Sequence, residues 1–151
     1  MNSQVKDDII KLIERSRDAI VCSIDDMGYP NAKSMFRMKN EGLHTFWFST
    51  NTSAIRTGHW LKRPQASIYF VDADGFHGLM LTGVMKVYSD NETKKDFWRE
   101  GDEMYYSLGP TDPDYSILCF KAEKGNYYHG LQRHLFDVVN EVEEQYAISE
   151  S

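Results

Sequence analysis

The sequence predicts a mainly β protein, a β-barrel decorated with short helices, in one domain spanning residues 1–151. Three observations lead there. Six or seven runs have strand length and apolar character. Clusters of Gly, Pro, Asn and Asp separate them, and only two or three segments carry helical spacing. Several strands are apolar on both faces, so a helix or a partner subunit must supply a second cover.

Val5, Ile9, Leu12 and Ile13 recur at helical spacing between charges, which predicts an amphipathic helix over residues 3–17. "AIVCSID" (residues 19–25) reads as a buried strand, and "DDMGYPN" as a turn shaped by Gly28 and Pro30. "AKSMFRM" (32–38) and "LHTFWFST" (43–50) are the next strands, with a turn at "NEG" (40–42). The short connections predict that these first three strands form an antiparallel meander. A helix follows over residues 53–62, with Ala54, Gly58 and Leu61 as its inner face and Pro64 just past its end. "ASIYFVD" (66–72) is the fourth strand. The fifth, residues 76–89, sets Leu79, Leu81, Met85 and Val87 against Met80, Thr82, Val84 and Lys86, with Gly78 and Gly83 inside as marks of a bend or close approach. Asp90 is placed to cap a helix over "NETKKDFWREG". After the loop "LGPTDPD", "YSILCFKAEKGNYYHGLQ" is a strand pair or one long bent strand, and residues 136–144 form an acidic, partly helical tail.

Composition excludes several classes. A net charge of −6, with no Lys/Arg run longer than two, lacks a nucleic-acid footprint. No apolar stretch approaches the roughly 20 residues of a membrane span, and the charged N-terminus lacks the apolar core of a signal peptide. Cys22 and Cys119 stand far apart and read as reduced core thiols of a cytoplasmic protein. His44, His59, His77, His129 and His134 make no metal-binding pattern, so no metal is expected. Dinucleotide, P-loop and nucleophile-elbow motifs are also missing.

The informative stretch is "STNTSAIR". Ser49, Thr50, Asn51, Thr52 and Ser53 lie where a strand turns into a helix, and Arg56 falls one turn inside. Free backbone N–H groups and the helix dipole make such a point an anion site. Arg56 can reach that anion in fork geometry, and Lys33 on a neighbouring strand can add a second positive charge. Plain N-capping by Thr52 or Ser53, with Arg56 solvated, explains the same residues.

Taken in order, "GYPNAKSMF", "FWFSTNTSAIR", "RPQAS", "GLMLTG" and "DPDY" resemble the FMN-binding split-barrel family typified by pyridoxamine 5′-phosphate oxidase, closest to its general stress protein-like group. The resemblance covers residues 19–131. It implies a six-stranded antiparallel Greek-key split barrel and a homodimer with FMN at the interface. By position, Lys33, Ser34 and Met35 look like the strand that runs along the flavin, Lys33 replacing the family's usual arginine. Ser49 and Thr50 match the strand end beside the ring and ribityl chain, and Arg56 matches the basic residue on the phosphate. Thr52 and Ser53 supply further hydroxyls, and His77 and Gly78 fall where the family sets a side chain near the ring. The family's Ser-Arg-Lys helix start is here Ala54, Ile55 and Arg56, one hydroxyl and one cation fewer. The long second-half extension of the true oxidases is missing, so oxidation of pyridoxamine phosphate is not implied.

The expected function is an FMN-dependent oxidoreductase acting on an unidentified small molecule, with a nicotinamide nucleotide as a candidate donor. No general acid or base can be named. A non-catalytic carrier or sensor of FMN or haem, and a cofactor-free dimeric scaffold, are the alternatives. Trp98, Tyr105 and Tyr106 are candidate pocket walls, while Trp60, Met80 and Met85 read as packing residues.

Overall fold

The computed structural model describes residues 1–139 and 141. Its elements are α1 (Ser3–Arg15), β1 (Asp18–Ile24), β2 (Pro30–Phe36), β3 (Lys39–Glu41), β4 (Thr45–Asn51), α2 (Ile55–Lys62), β5 (Gln65–Asp72), β6 (His77–Tyr88), α3 (Asn91–Phe97), β7 (Tyr115–His129) and β8 (Gln132–Asp137). All eight strands belong to one antiparallel sheet, ordered β2-β1-β5-β6-β7-β4-β3, with β8 added along β7. The sheet curls so that β2 approaches β4 across an unpaired seam. This is the split barrel that the residues and the resemblance predict, with more strands than six. The extra strands have local causes. Lys39–Glu41, which overlaps the turn expected at residues 40–42, pairs with β4 as β3. The long last strand folds back at Gly130, whose φ of 60° suits glycine, to form β8.

The expected meander of the first three strands does not form. β1 and β2 make a hairpin, but β4 pairs with β7 from Thr45↔Lys121 to Asn51↔Tyr115. With β5, β6 and β7 in sequence order and β4 beside β7, the strands make a Greek key, and α2 is its long connection. β4 pairs with β7 on one edge and, over Thr45–Trp47, with β3 on the other, and forms no ladder with β2.

The core lies inside the curl. Phe46, Phe48, Phe70, Phe120, Ile68, Leu79 and Leu81 are fully buried there, and Ile9, Leu12 and Ile13 of α1 close one end. Met85 and Val87 pack inward as the alternation predicts. A second cluster on the outer face of β4 and β7 joins Tyr106, Tyr115 and Ile117 to Trp47, Phe97 and Trp98, with Trp47 and Phe97 stacked at 4.7 Å. Asp90 caps α3 as expected, accepting from the Thr93 N–H. The inner face of α2 is not Ala54, Gly58 and Leu61 but Thr57, His59 and Trp60. Polar anchoring turns the helix: Thr57 Oγ1 donates to the Asn51 carbonyl (2.8 Å) and His59 Nδ1 lies 2.9 Å from Ser23 Oγ, leaving Leu61 exposed. Both cysteines are free, Cys119 buried and Cys22 half-buried. Val138, Val139 and Glu141 of the predicted tail are helical, and residues 140 and 142–144 lie outside the described set. Among the described residues no helix is long and apolar enough to cross a membrane.

Two glycines of opposite sensitivity test this packing. A Cβ on Gly83 would fall on the Lys121 carbonyl at the bulge between β6 and β7, where backbone faces backbone, whereas a Cβ on Gly58 meets nothing within 4 Å. In urea denaturation Gly83→Ala is expected to lose about 1–3 kcal/mol. Gly58→Ala, inside a helix, is expected to gain about 0.5–1 kcal/mol.

Candidate functional site

The turn from β4 into α2 gathers five of the predicted residues: Ser49, Thr50, Thr52, Ser53 and Arg56. Each hydroxyl has its own environment. Thr50 is buried and its Oγ1 lies 3.3 Å from Thr57 Oγ1, so it braces α2 from inside. Thr52 Oγ1 lies 2.6 Å from Ser116 Oγ at the start of β7. Ser53 is exposed, and Ser49 is half-buried on the outer face of β4.

Neither Thr52 nor Ser53 caps the helix. The N-cap is Ala54, which offers no side-chain acceptor. The Thr57 and Gly58 N–H groups both turn back to the Ala54 carbonyl, and the Ile55 and Arg56 N–H groups find no partner among the described residues. Helix starts normally satisfy such donors with a side chain, water or a ligand. Arg56 is half-buried rather than solvated, and its Nε is buried with no hydrogen-bond partner. The first turn of α2 thus carries two free amides, the positive end of a helix dipole and a guanidinium with an unused donor.

Asp114 holds the turn that precedes this point. The Ser53 N–H donates to its Oδ1 (2.8 Å), the Asn51 amide to its Oδ2 (2.9 Å) and the Thr52 N–H to its carbonyl (2.8 Å). The Asn51 and Ser53 hydrogen bonds hold the Asp114 carboxyl below the usual carboxylate range. Tyr106 stands nearby, its hydroxyl pushed up by burial and by the charges of Asp114 and Asp102, with Arg56 opposing. Neither role was visible beforehand, although "DPDY" marked the position of Asp114.

Lys33, Ser34 and Met35 lie on β2, which faces β4 across the seam. Met35 points into the core. Lys33, two residues earlier on the same face, is exposed at the rim, and Ser34 is exposed on the outer face. His77 and Gly78 are not brought to the turn. His77 pairs with His129 at the end of β7 far from Ser116. There it is buried between Asp72 (Nε2 to Oδ2, 3.0 Å) and the Tyr127 hydroxyl (3.0 Å), with Arg15 of α1 alongside. Gly78 lies beneath the Tyr69 and Tyr128 hydroxyls, which are 2.8 Å apart and would meet any added Cβ. Both residues lie at the opposite end of the sheet from the hydroxyl turn.

The sequence profile of the family described as pyridoxamine 5′-phosphate oxidase matches residues 5–129. The chain belongs to that family. Its similarity runs to the family's general stress protein-like members. A Clostridium acetobutylicum protein related to general stress protein 26 of B. subtilis is 40% identical, with 93% of this chain and 99% of that one covered and a TM-score of 0.85. General stress protein 26 of Bacillus anthracis is 15% identical over 88% and 99% of the two chains, with a TM-score of 0.70. A pyridoxamine 5′-phosphate oxidase-related, FMN-binding protein of Nostoc punctiforme is 11% identical over 89% and 90%, with a TM-score of 0.64. No curated protein matches the chain. The last two likenesses concern fold alone.

The depressed carboxyl of Asp114 has a definite pH consequence. A carboxyl that ionises more readily in the folded chain contributes stability above the ordinary aspartate value of about 3.9, and that stability is lost as pH falls through the folded value. The urea midpoint is expected to fall below about pH 4, and Asp114→Asn to make that acid limb shallower.

Proposed function

We propose that the chain is an FMN-binding flavoprotein, an oxidoreductase with an unidentified small-molecule substrate. The observation that carries this reading is the start of α2, an uncapped helix with two free amides and the unpartnered Nε of Arg56 in its first turn, in a member of the pyridoxamine 5′-phosphate oxidase family. A phosphate monoester satisfies all of these donors at once, and a planar guanidinium matches it bidentately. Capping by Thr52 or Ser53 would have left nothing for a ligand to do. The C. acetobutylicum likeness at 40% identity and the Nostoc protein described as FMN-binding favour the same assignment.

In this proposal Arg56 and the Ile55 and Arg56 amides hold the phosphate, Lys33 adds positive charge from the facing strand, and Ser53 offers a free hydroxyl. Ser49, Ser34 and the main chain around Met35 line the seam along which a flat ring can lie. FMN, when bound, supplies two-electron redox chemistry, with a nicotinamide nucleotide as candidate donor. The protein binds, orients and shields. No described side chain is assigned as acid or base.

A homodimer belongs to the same proposal. One cross-strand row, Ser34–Ile20–Tyr69–Met80–Asn126–Leu135, runs over six strands on the outer face. Its Ile20, Met80 and Leu135 are exposed, and no element among the described residues covers them. A groove of about 340 Å³ beside it is lined by small or polar residues including Cys22, Ser67 and Thr82. A second copy would bury this face and bring its own surface to the seam at Ser34. A cytoplasmic location fits the two free thiols.

The purified protein is expected to retain a flavin absorption band after FMN is added and the excess removed. Bleaching of that band by NADH or NADPH without oxygen would support the enzyme over a carrier. Arg56→Ala is expected to cost about 1.5–3 kcal/mol of FMN affinity, a loss of about ten- to 150-fold in a flavin-fluorescence titration. Riboflavin, which has no phosphate, should bind both proteins alike.

A further inference from the structure

We propose that Asp114 is the positioning residue of the phosphate site, and that it acts by shape rather than by charge. The inference rests on the FMN reading above. Ala54 provides no cap, so the direction in which α2 leaves β4 is decided one residue earlier, where the Ser53 N–H is tied to Asp114 Oδ1 at 2.8 Å. The other carboxylate oxygen holds the Asn51 amide at 2.9 Å, and the Asp114 carbonyl holds the Thr52 N–H at 2.8 Å. One residue thus clasps three consecutive positions of the turn.

The clasp is itself anchored from behind. The Asp114 N–H donates to Asp112 Oδ1 (2.9 Å), and Asp112 Oδ2 accepts from the Leu108 N–H (3.1 Å). The buried Lys94 ammonium of α3 donates to the Asp112 carbonyl (2.8 Å). The segment before β7 is therefore fixed to α3 on one side and to the phosphate turn on the other. Anything that loosens Asp114 frees the turn that carries the Ile55 and Arg56 amides to shift against β7.

Charge points the other way. A carboxylate near a phosphate dianion repels it, and Asp114 makes no ion pair within 4.0 Å among the described residues to neutralise that cost. Its contribution to a phosphate ligand must come from the geometry it imposes. Asparagine preserves that geometry. Its carbonyl accepts from the Ser53 N–H, and its NH₂ donates to Asn51 once the Asn51 amide turns its oxygen toward it. Alanine preserves neither contact.

The test is the affinity for FMN and for riboflavin of the wild type, Asp114→Ala and Asp114→Asn, with melting temperature as a check on folding. Asp114→Ala is expected to weaken FMN by about tenfold, the scale of one charge-assisted hydrogen bond. Its riboflavin affinity should stay within about twofold, because the site then loses phosphate contact only. Asp114→Asn is expected to bind FMN as tightly as the wild type or more tightly, with the gain shrinking as salt rises. Equal loss in both variants would overturn action by shape. Parallel loss of FMN and riboflavin, tracking melting temperature, would reduce Asp114 to a folding residue and overturn the proposal. A wild type that binds neither flavin would overturn the FMN reading and this inference together, whereas a flavin-binding wild type with unaffected Asp114→Ala would sink the inference alone.

Discussion

β4 takes its hydrogen-bond partner from the far end of the chain, and the rest of the architecture follows from that pairing. β4 is joined to β7 along one edge and, from Thr45 to Trp47, to β3 on the other, and β2 forms no ladder with it. The curled sheet therefore closes by approach rather than by a ladder, and the seam between β2 and β4 stays open. The same pairing sets Ser116 opposite Thr50 and Tyr115 opposite Asn51, which places Asp114 directly against the turn into α2. A ladder between β2 and β4 would have closed the seam.

The turn shows how a helix start can be arranged to receive a ligand. Its three preceding positions are each held by hydrogen bonds to Asp114, and Thr52 also to Ser116, which restrains the loop. The helix itself is left unsatisfied, with Ala54 where a capping hydroxyl would normally sit. Restrained support beneath unfilled donors is the preorganised condition under which an anion binds at low reorganisation cost. Burial of Arg56 Nε without a partner fits the same arrangement, since a buried charged donor is costly until something accepts from it.

Much of this could be read from residue types. Strand alternation placed Leu79, Leu81, Met85 and Val87 in the core, and "STNTSAIR" marked the turn and its arginine. The family resemblance rested on five short stretches, none of them strong alone, and the matching profile now spans residues 5–129. The inner face of α2 was misjudged because apolarity was used to choose it. The hydrogen bonds of Thr57 to the end of β4 and of His59 to Ser23 of the distant β1 outweighed the burial of Leu61. That His77 lies at the far end of β6 from the turn was not legible either. Proximity to "LMLTG" in the chain does not reveal which end of a long antiparallel strand meets which partner.

By itself, then, the sequence determined the local elements: where apolar residues alternate, where glycine and proline break them, and which turn concentrates hydroxyls beside a basic helix. These are properties of a few neighbouring residues, settled by sterics and side-chain burial. Tertiary structure alone decided which strands pair, that the barrel stays split between β2 and β4, and that Asp114 rather than a capping hydroxyl secures the turn. Those outcomes depend on contacts between segments far apart in the chain, such as Ser53 with Asp114, and no local propensity encodes them.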